Sequence, residues 1–274
     1  MQYTSTARAV LSALVALVIL GPVGVANAAD VTPLSPVPVR EREALFRHID
    51  AAAPQSVALL EELVNLNSGT FNVAGVSEVG ARLEREFRSL GFKTRWVSME
   101  SVGRAPHLVA ERRGRKGRHL LLLGHMDTVF EPFSPFKNFV RKDDRAIGPG
   151  AHDMKGGLVV MLDALKALHA QRALDDRSFT VFITSDEEMP GSPASVSRAE
   201  FIEAGRRADA ALCFESGISM DGQDYISTAR RGATDWRIEV EGIAAHSSGV
   251  FRPDIGDGAN FELARILARF HAEL

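Results

Sequence analysis

Cysteine is almost missing from this chain. Cys213 is the single cysteine among 274 residues, so no internal disulfide can form, and its apolar surroundings mark it as a buried thiol rather than a reactive one. Basic excess is missing too: the net charge is -3, which offers no positive field to a polyanion. The run Arg112-Arg113-Gly-Arg115-Lys116-Gly-Arg118 reads as a solvated loop, and nucleic acid is not an expected partner. Long apolar runs are lacking as well. A membrane-spanning helix needs about 20 mostly apolar residues, whereas the run from Ala9 to Leu20 is broken by Gly21, Pro22 and Gly24. Arg8 before that run and Ala26-Asn27-Ala28 after it form the pattern of a cleaved secretory signal, with an uncleaved anchor as the alternative. The expectation is a secreted or periplasmic protein with no stable membrane span after cleavage. Internal repeats and low-complexity tracts are absent.

What is present suits a folded enzyme-sized body: 45% of residues are hydrophobic and 24% charged, enough for one large domain or two. After the signal at 1–28, the proline-containing stretch 29–39 reads as a linker. From Arg40 onward helix and strand patterns alternate, which predicts an α/β sheet with helices packed on it. Ser56 to Leu66 and Val76 to Leu90 carry apolar residues at helical spacing, the second with Gly91 as C-cap. Phe92 to Val97, His107 to Glu111 and His119 to Leu123 read as strands, and Met154 to Ala170 as a helix. Ser178 to Thr184 and Ala210 to Phe214 are short apolar runs of the kind expected of strands buried on both faces. Further on, Ala233 to Val240 reads as a strand and Ala259 to His271 as an amphipathic helix.

Four clusters of metal-type residues fall where a strand ends or a helix begins. His125 and Asp127 follow the run Leu120 to Leu123, at the carboxyl end of a strand, where open α/β sheets place their ligands. In extended backbone residues two apart point the same way, so the carboxylate can hold one imidazole nitrogen while the other binds metal. A satisfied core histidine beside an Asp turn is the plain alternative. Asp153 directly precedes a helix, as a metal ligand or as its cap, and Gly156-Gly157 leave room for close approach of the first turn to the sheet. Asp186, Glu187 and Glu188 follow a strand, and three adjacent acids repel unless cations or solvent offset them. If that backbone is extended, one of Glu187 and Glu188 can bind metal while the other acts as general base; a solvated acidic loop is the alternative. Glu215 ends another strand. Together these groups can converge on one sheet edge, and mixed nitrogen and oxygen ligands suit zinc, with cobalt or manganese as substitutes.

Gly124-His125-Met126-Asp127-Thr128-Val129, Gly148-Pro149-Gly150-Ala151-His152-Asp153-Met154-Lys155-Gly156-Gly157, Ser185-Asp186-Glu187-Glu188 and Phe214-Glu215 resemble, in order and spacing, the zinc peptidase family of carboxypeptidase G (glutamate carboxypeptidase), aminoacylase and succinyl-diaminopimelate desuccinylase. The likeness runs from about Leu59 to the end and is greatest to glutamate carboxypeptidase. It implies a zinc-exopeptidase-like mixed sheet flanked by helices at 40–228, and at 229–274 the start of an inserted α+β, ferredoxin-like lid or dimerisation domain. It also implies that His125 binds one of two zinc ions, Asp153 bridges both, Glu188 and Glu215 complete the ligands, Asp127 orients His125 and Glu187 is the base. A cis peptide is implied at Asp153-Met154. The implied reaction is amide hydrolysis by a metal-bridged water, with Glu187 passing its proton to the leaving amine. A glutamate at the Glu215 position accompanies carboxypeptidase and acylase activities, pointing to peptides or N-acyl amino acids with a free carboxylate.

In the same resemblance His246 reaches the active site of a partner subunit in a homodimer and holds the substrate or the developing oxyanion, with a structural hydrogen bond as its alternative role. The loop from His246 to Pro253 is longer than in carboxypeptidase G. Arg230 and Arg231 read either as contacts to a substrate carboxylate or as a solvated pair. Leu274 closes the first strand-helix half of the lid, so a second metal-binding histidine and a substrate-binding arginine are expected beyond it, and His271 does not match that histidine. Residues 29–274 alone are therefore expected to be inactive. The alternative reading is a truncated, non-catalytic protein that binds metal or an amino acid.

Overall fold

A computed structural model describes residues 37–227 and 237–273. The signal, nearly all of the linker, Arg230 and Arg231 lie outside those residues. The chain divides into two compact units, the first ending at Ile226 and the second running Ser227–Leu274.

In the first unit α1 (Val39–Asn65) and α2 (Val73–Ser89) precede β1 (Lys93–Val97), β2 (His107–Arg112) and β3 (Lys116–His125). A small hairpin, β4 (Val140–Lys142) with β5 (Arg145–Ile147), leads to α3 (Lys155–Ala170) and β6 (Arg177–Thr184). Two helices, α4 (Ala194–Ser197) and α5 (Ala199–Arg207), are followed by β7 (Ala210–Cys213) and a second hairpin of β8 (Ile218–Met220) and β9 (Gln223–Tyr225). The first helix starts well before the expected Ser56. Leu45, Ile49 and Ala53 extend its buried stripe toward Val39, and the helix continues through Pro54.

The main sheet has the order β1-β2-β6-β3-β7. β1 and β2 are antiparallel to their neighbours, whereas β3 pairs parallel with both β6 and β7. The chain leaves β3 for β6 on one side and returns past it to β7 on the other. The carboxyl end of β3 therefore stands at a reversal of strand order, the position at which such sheets form a crevice. Alternation along β3 sorts its side chains: Leu120 and Leu122 join the core under α1, α2 and α3, while Leu121 meets Phe182 and Ala204 under α5.

Two glycines have a steric task. Gly91, at φ 79, takes the left-handed position after α2 while the Phe92 N–H returns to the Phe87 carbonyl at 3.1 Å. A Cβ on Gly157 would lie 1.9 Å from the Phe214 carbonyl oxygen, so only glycine lets α3 approach the end of β7, where Glu215 follows.

β7 departs from the expectation of a strand buried on both faces. Among the described residues it pairs only with β3, and as the edge strand it buries Ala210 and Leu212 in part while Ala211 and Cys213 are exposed. The expected buried thiol is thus an exposed one. No helix among the described residues is long and apolar enough to cross a membrane.

In the second unit the expected strand is not formed over the described residues 237–240, and its first part lies outside them. Helix α6 (Ala259–Glu273) covers the expected helical segment.

Candidate metal centre

β3 delivers His125 to the sheet edge, buried at its last position, and the Met126 N–H bonds to the Thr184 carbonyl of β6 at 2.9 Å. Two residues on, Asp127 is fully buried. Imidazole Nδ1 is 3.1 Å from the Asp127 carbonyl oxygen and 3.4 Å from its carboxylate. The carboxylate has further partners that the His-x-Asp spacing did not suggest: Oδ1 accepts the Glu187 N–H at 3.0 Å, and Oδ2 accepts the Glu188 N–H at 3.1 Å and the Thr70 hydroxyl at 2.7 Å. One carboxylate thus ties the end of β3 to the acidic loop after β6 and to the loop after α1.

The acidic triplet divides by environment. Asp186 turns inward, where its carboxylate accepts Arg198 Nη1 at 2.6 Å and the Gly191 N–H at 2.7 Å, and its carbonyl accepts Arg198 Nη2 at 3.0 Å. Arg198 therefore offsets one of the three charges. Around this pair His107 Nδ1 accepts the Ser185 N–H at 3.1 Å and its Nε2 lies 3.0 Å from the Ser197 carbonyl, which sets the tautomer with the proton on Nε2. The Ser197 hydroxyl donates to the Gly191 carbonyl at 3.0 Å.

Glu187 and Glu188 face the other way, into the cluster around His125. Burial raises the Glu187 carboxyl above its ordinary value, and Glu215, Asp127 and Asp153 add to this against the pull of His125. Burial likewise raises Glu188, with Asp153 the next contributor.

Asp153 enters from the loop before α3. The helix N-cap position is Met154, without a side-chain cap bond, so the carboxylate does not serve as the cap. It is 56% exposed, and Oδ1 lies 3.0 Å from His125 Nε2. The Asp153-Met154 peptide is cis. Glu215 approaches the same nitrogen at 3.6 Å. One atom each from His125, Asp153 and Glu188 lies within 4.8 Å of the others, and the same holds for His125, Glu187 and Glu215. Burial opposes charge on the imidazole, but Asp127, Glu187 and Asp153 outweigh it and lift His125 to about 9.

These residues fit a divalent cation. One imidazole nitrogen and four surrounding carboxylates give the mixed donor set that zinc takes, and burial holds two of the carboxylates, Glu187 and Glu188, partly away from water. Below the cluster Lys155 is fully buried and donates to the Leu66 carbonyl at 2.9 Å, with burial pushing its ammonium down to about 7.

His246 belongs to the second unit. It is exposed at the start of a single turn, Ser247–Gly249, where Nδ1 accepts the Ser248 N–H at 3.2 Å. Thr70, Arg198 and His107 join the network around Asp127 and Asp186 without having been legible in the sequence. A threonine in a Ser-Gly-Thr loop, a lone arginine and a strand histidine carry no spacing signal, because their partners are 57, 12 and 78 residues away.

The sequence profile of peptidase family M20/M25/M40 matches residues 121–265. The chain is 32% identical over 226 residues to carboxypeptidase G2 of a Pseudomonas species, covering 82% of this chain and 53% of that one. It is 30% identical over 236 residues to succinyl-diaminopimelate desuccinylase of Cupriavidus necator, covering 80% and 58%. The chain thus spans about half the length of these relatives. Among solved structures, human carnosine dipeptidase 1 superposes with a TM-score of 0.54 at 20% identity, covering 62% of this chain and 40% of that one. An M20 family metallo-carboxypeptidase of Sulfolobus solfataricus gives 0.50 at 23%, covering 61% and 39%. At these identities the superpositions speak for the fold alone, a mixed sheet flanked by helices.

Proposed function

The chain belongs to peptidase family M20/M25/M40, and from that premise we propose that it hydrolyses amide bonds of small peptides or N-acyl amino acids as a carboxypeptidase-like zinc enzyme. The observation that carries this reading is the convergence of Asp153, Glu187, Glu188 and Glu215 on one buried imidazole, His125.

In this reading His125, Asp153, Glu188 and Glu215 hold a pair of zinc ions. When bound, such ions polarise a substrate carbonyl and make water acidic enough to attack at neutral pH. The chain's own residues supply the rest. Glu187 accepts a proton from the attacking water and delivers it to the leaving amine. Its raised affinity for protons supports the first half of that role, because a carboxylate with a higher pKa is the stronger base toward the attacking water. Asp127 holds the imidazole and, through the Glu187 amide, the backbone of the base. His246 acts on the substrate or the developing oxyanion across a homodimer, and the leader at 1–28 directs the protein to a secreted or periplasmic location. Sequence resemblance and pattern support these last assignments.

Calorimetric titration of zinc into the protein tests the reading, with His125→Ala alongside. Saturable uptake lost in His125→Ala is expected. No uptake, or uptake indifferent to that change, rules out the proposed site. A Glu187→Gln variant with normal zinc affinity and undiminished turnover would refute the base assignment.

A further inference from the structure

The rim of the cluster is apolar and carries one unusual cation. Three large apolar side chains flank residues of the cluster in the chain: Phe71, Val129 and Met189 are 56%, 61% and 51% exposed. Each is tied in sequence to the site. Phe71 follows Thr70, whose hydroxyl holds Asp127; Val129 lies two residues after Asp127; Met189 follows Glu188. Arg104 spans two of these loops. Its Nε donates to the Met189 carbonyl at 2.8 Å, its Nη1 donates to the Gly103 carbonyl at 3.1 Å, and its guanidinium carbon sits 4.6 Å from the centroid of the Phe71 ring. The stem is held as well, since a Cβ on Gly191 would lie 3.3 Å from Arg104 Cγ.

Among the described residues Arg104 Nη2 has no acceptor, although the arginine is already fixed on a ring and a carbonyl. The neighbouring cations are otherwise engaged: Arg198 faces Asp186 and Lys155 is buried against the Leu66 carbonyl. Zinc ions held by His125, Asp153, Glu188 and Glu215 would offset the acids of the cluster, so a substrate carboxylate lying away from them is held only by a positive group of its own.

We propose that Arg104, braced on Phe71 and the Met189 carbonyl, receives a substrate carboxylate at the rim of the site, with Phe71, Val129 and Met189 contacting an apolar part of the same molecule. The substrate class is then an acylated amino acid bearing both a carboxylate and an aromatic or long aliphatic group. This rests on the proposed amide hydrolysis and adds a determinant of specificity to it. A preorganised guanidinium presents parallel donors to a carboxylate, and loss of such a charge-assisted bond costs about tenfold or more in affinity.

The test is calorimetry on the zinc-loaded protein and on Arg104→Met and Arg104→Lys, with three probes. N-acetyl-L-phenylalanine has its carboxylate on the amine side, N-succinyl-L-phenylalaninamide has it on the acyl side, and N-acetyl-L-phenylalaninamide has none. The expected result is that Arg104→Met weakens one carboxylate probe about tenfold, with partial recovery in Arg104→Lys. The neutral amide and the zinc affinity should be unchanged, and the probe affected tells which end of the substrate Arg104 meets. Equal affinities in all proteins, or equal losses for charged and neutral probes, overturn the proposal. A fall in zinc affinity alongside probe affinity also overturns it, since Arg104 would then only brace the acidic loop. Zinc uptake without binding of any probe sinks this proposal alone, whereas no zinc uptake sinks the hydrolase reading beneath it.

Discussion

The carboxylate of Asp127 lies 3.4 Å from the imidazole of His125 while accepting the backbone N–H of Glu187 at 3.0 Å, so the group that faces the histidine also suspends the acidic loop. Coordinates of the two proposed metal-facing segments are therefore linked through one buried anion. Its charge is stabilised despite burial: desolvation pushes its carboxyl up, but His125 and Thr70 reverse this and hold it below its ordinary value.

Asp127→Asn replaces an acceptor-only group with one that presents an NH2 to the donors of Glu187, Glu188 or Thr70. At least one of those bonds must break. Zinc affinity is expected to fall about 10- to 100-fold, the usual cost of removing a partner of a metal-ligating histidine. Thr70→Val removes one bond to the same carboxylate and is expected to cost about 1–3 kcal/mol in stability, with Thr70→Ser recovering most of it. Zinc titration and denaturant melts check both, and unaltered zinc binding in Asp127→Asn would contradict the coupling.

Arg198→Met leaves the fully buried Asp186 without its ion-pair partner. Breaking a buried pair from one side costs about 3–5 kcal/mol. The double change Arg198→Met with Asp186→Asn should be less damaging than the sum of the two. Urea unfolding of the single and double variants measures this, and strict additivity would mean that the pair contributes nothing as a pair.

His107 is buried, and burial lowers its affinity for protons despite the Ser197 carbonyl and Asp186, with Arg198 adding to the depression and Asp127 opposing it. Below the unfolded value of about 6.5, the unfolded chain takes up a proton that the folded one refuses. Stability therefore falls as pH drops from about 6.5 toward the lower folded value, and His107 contributes no slope above that window. His107→Gln should flatten this part of the stability profile, read from urea midpoints between pH 5 and 7.5. An unchanged slope would show that another group carries it.

Zinc that binds only the folded state raises stability in proportion to the logarithm of its free concentration. At 100 times the dissociation constant the gain is about 2.7 kcal/mol. A chelator should reverse it, and Asp153→Asn or Glu188→Gln should reduce it by weakening the ligand set. Thermal melts across a zinc series are the measurement, and a midpoint independent of zinc would argue against a specific site.

Much of the architecture was legible because it is local. Apolar stripes at helical spacing predict α2 and α3 closely, and the short Leu120 to Leu123 and Ser178 to Thr184 runs predict β3 and β6. Periodicity failed where the partner decides exposure. The run Ala210 to Phe214 is as apolar as its neighbours, yet β7 pairs on one side only among the described residues, so Cys213 is exposed. It also stopped short at the first helix, where Pro54 obscured a stripe that reaches back to Leu45.

Sequence by itself determined which residues are candidates for the site: His125, Asp127, Asp153, Glu187, Glu188 and Glu215 each fall at an element boundary, and boundaries are set by neighbouring residues. Only the tertiary structure decided how they are shared out. It turned Asp186 inward to Arg198, freed Asp153 from capping α3, and hung Glu187 and Glu188 on the carboxylate of Asp127. Those choices depend on which distant donors reach a buried acceptor, and a polar group taken from water accepts whichever partner the fold brings within about 3 Å. The chain order of residues holds no record of that distance.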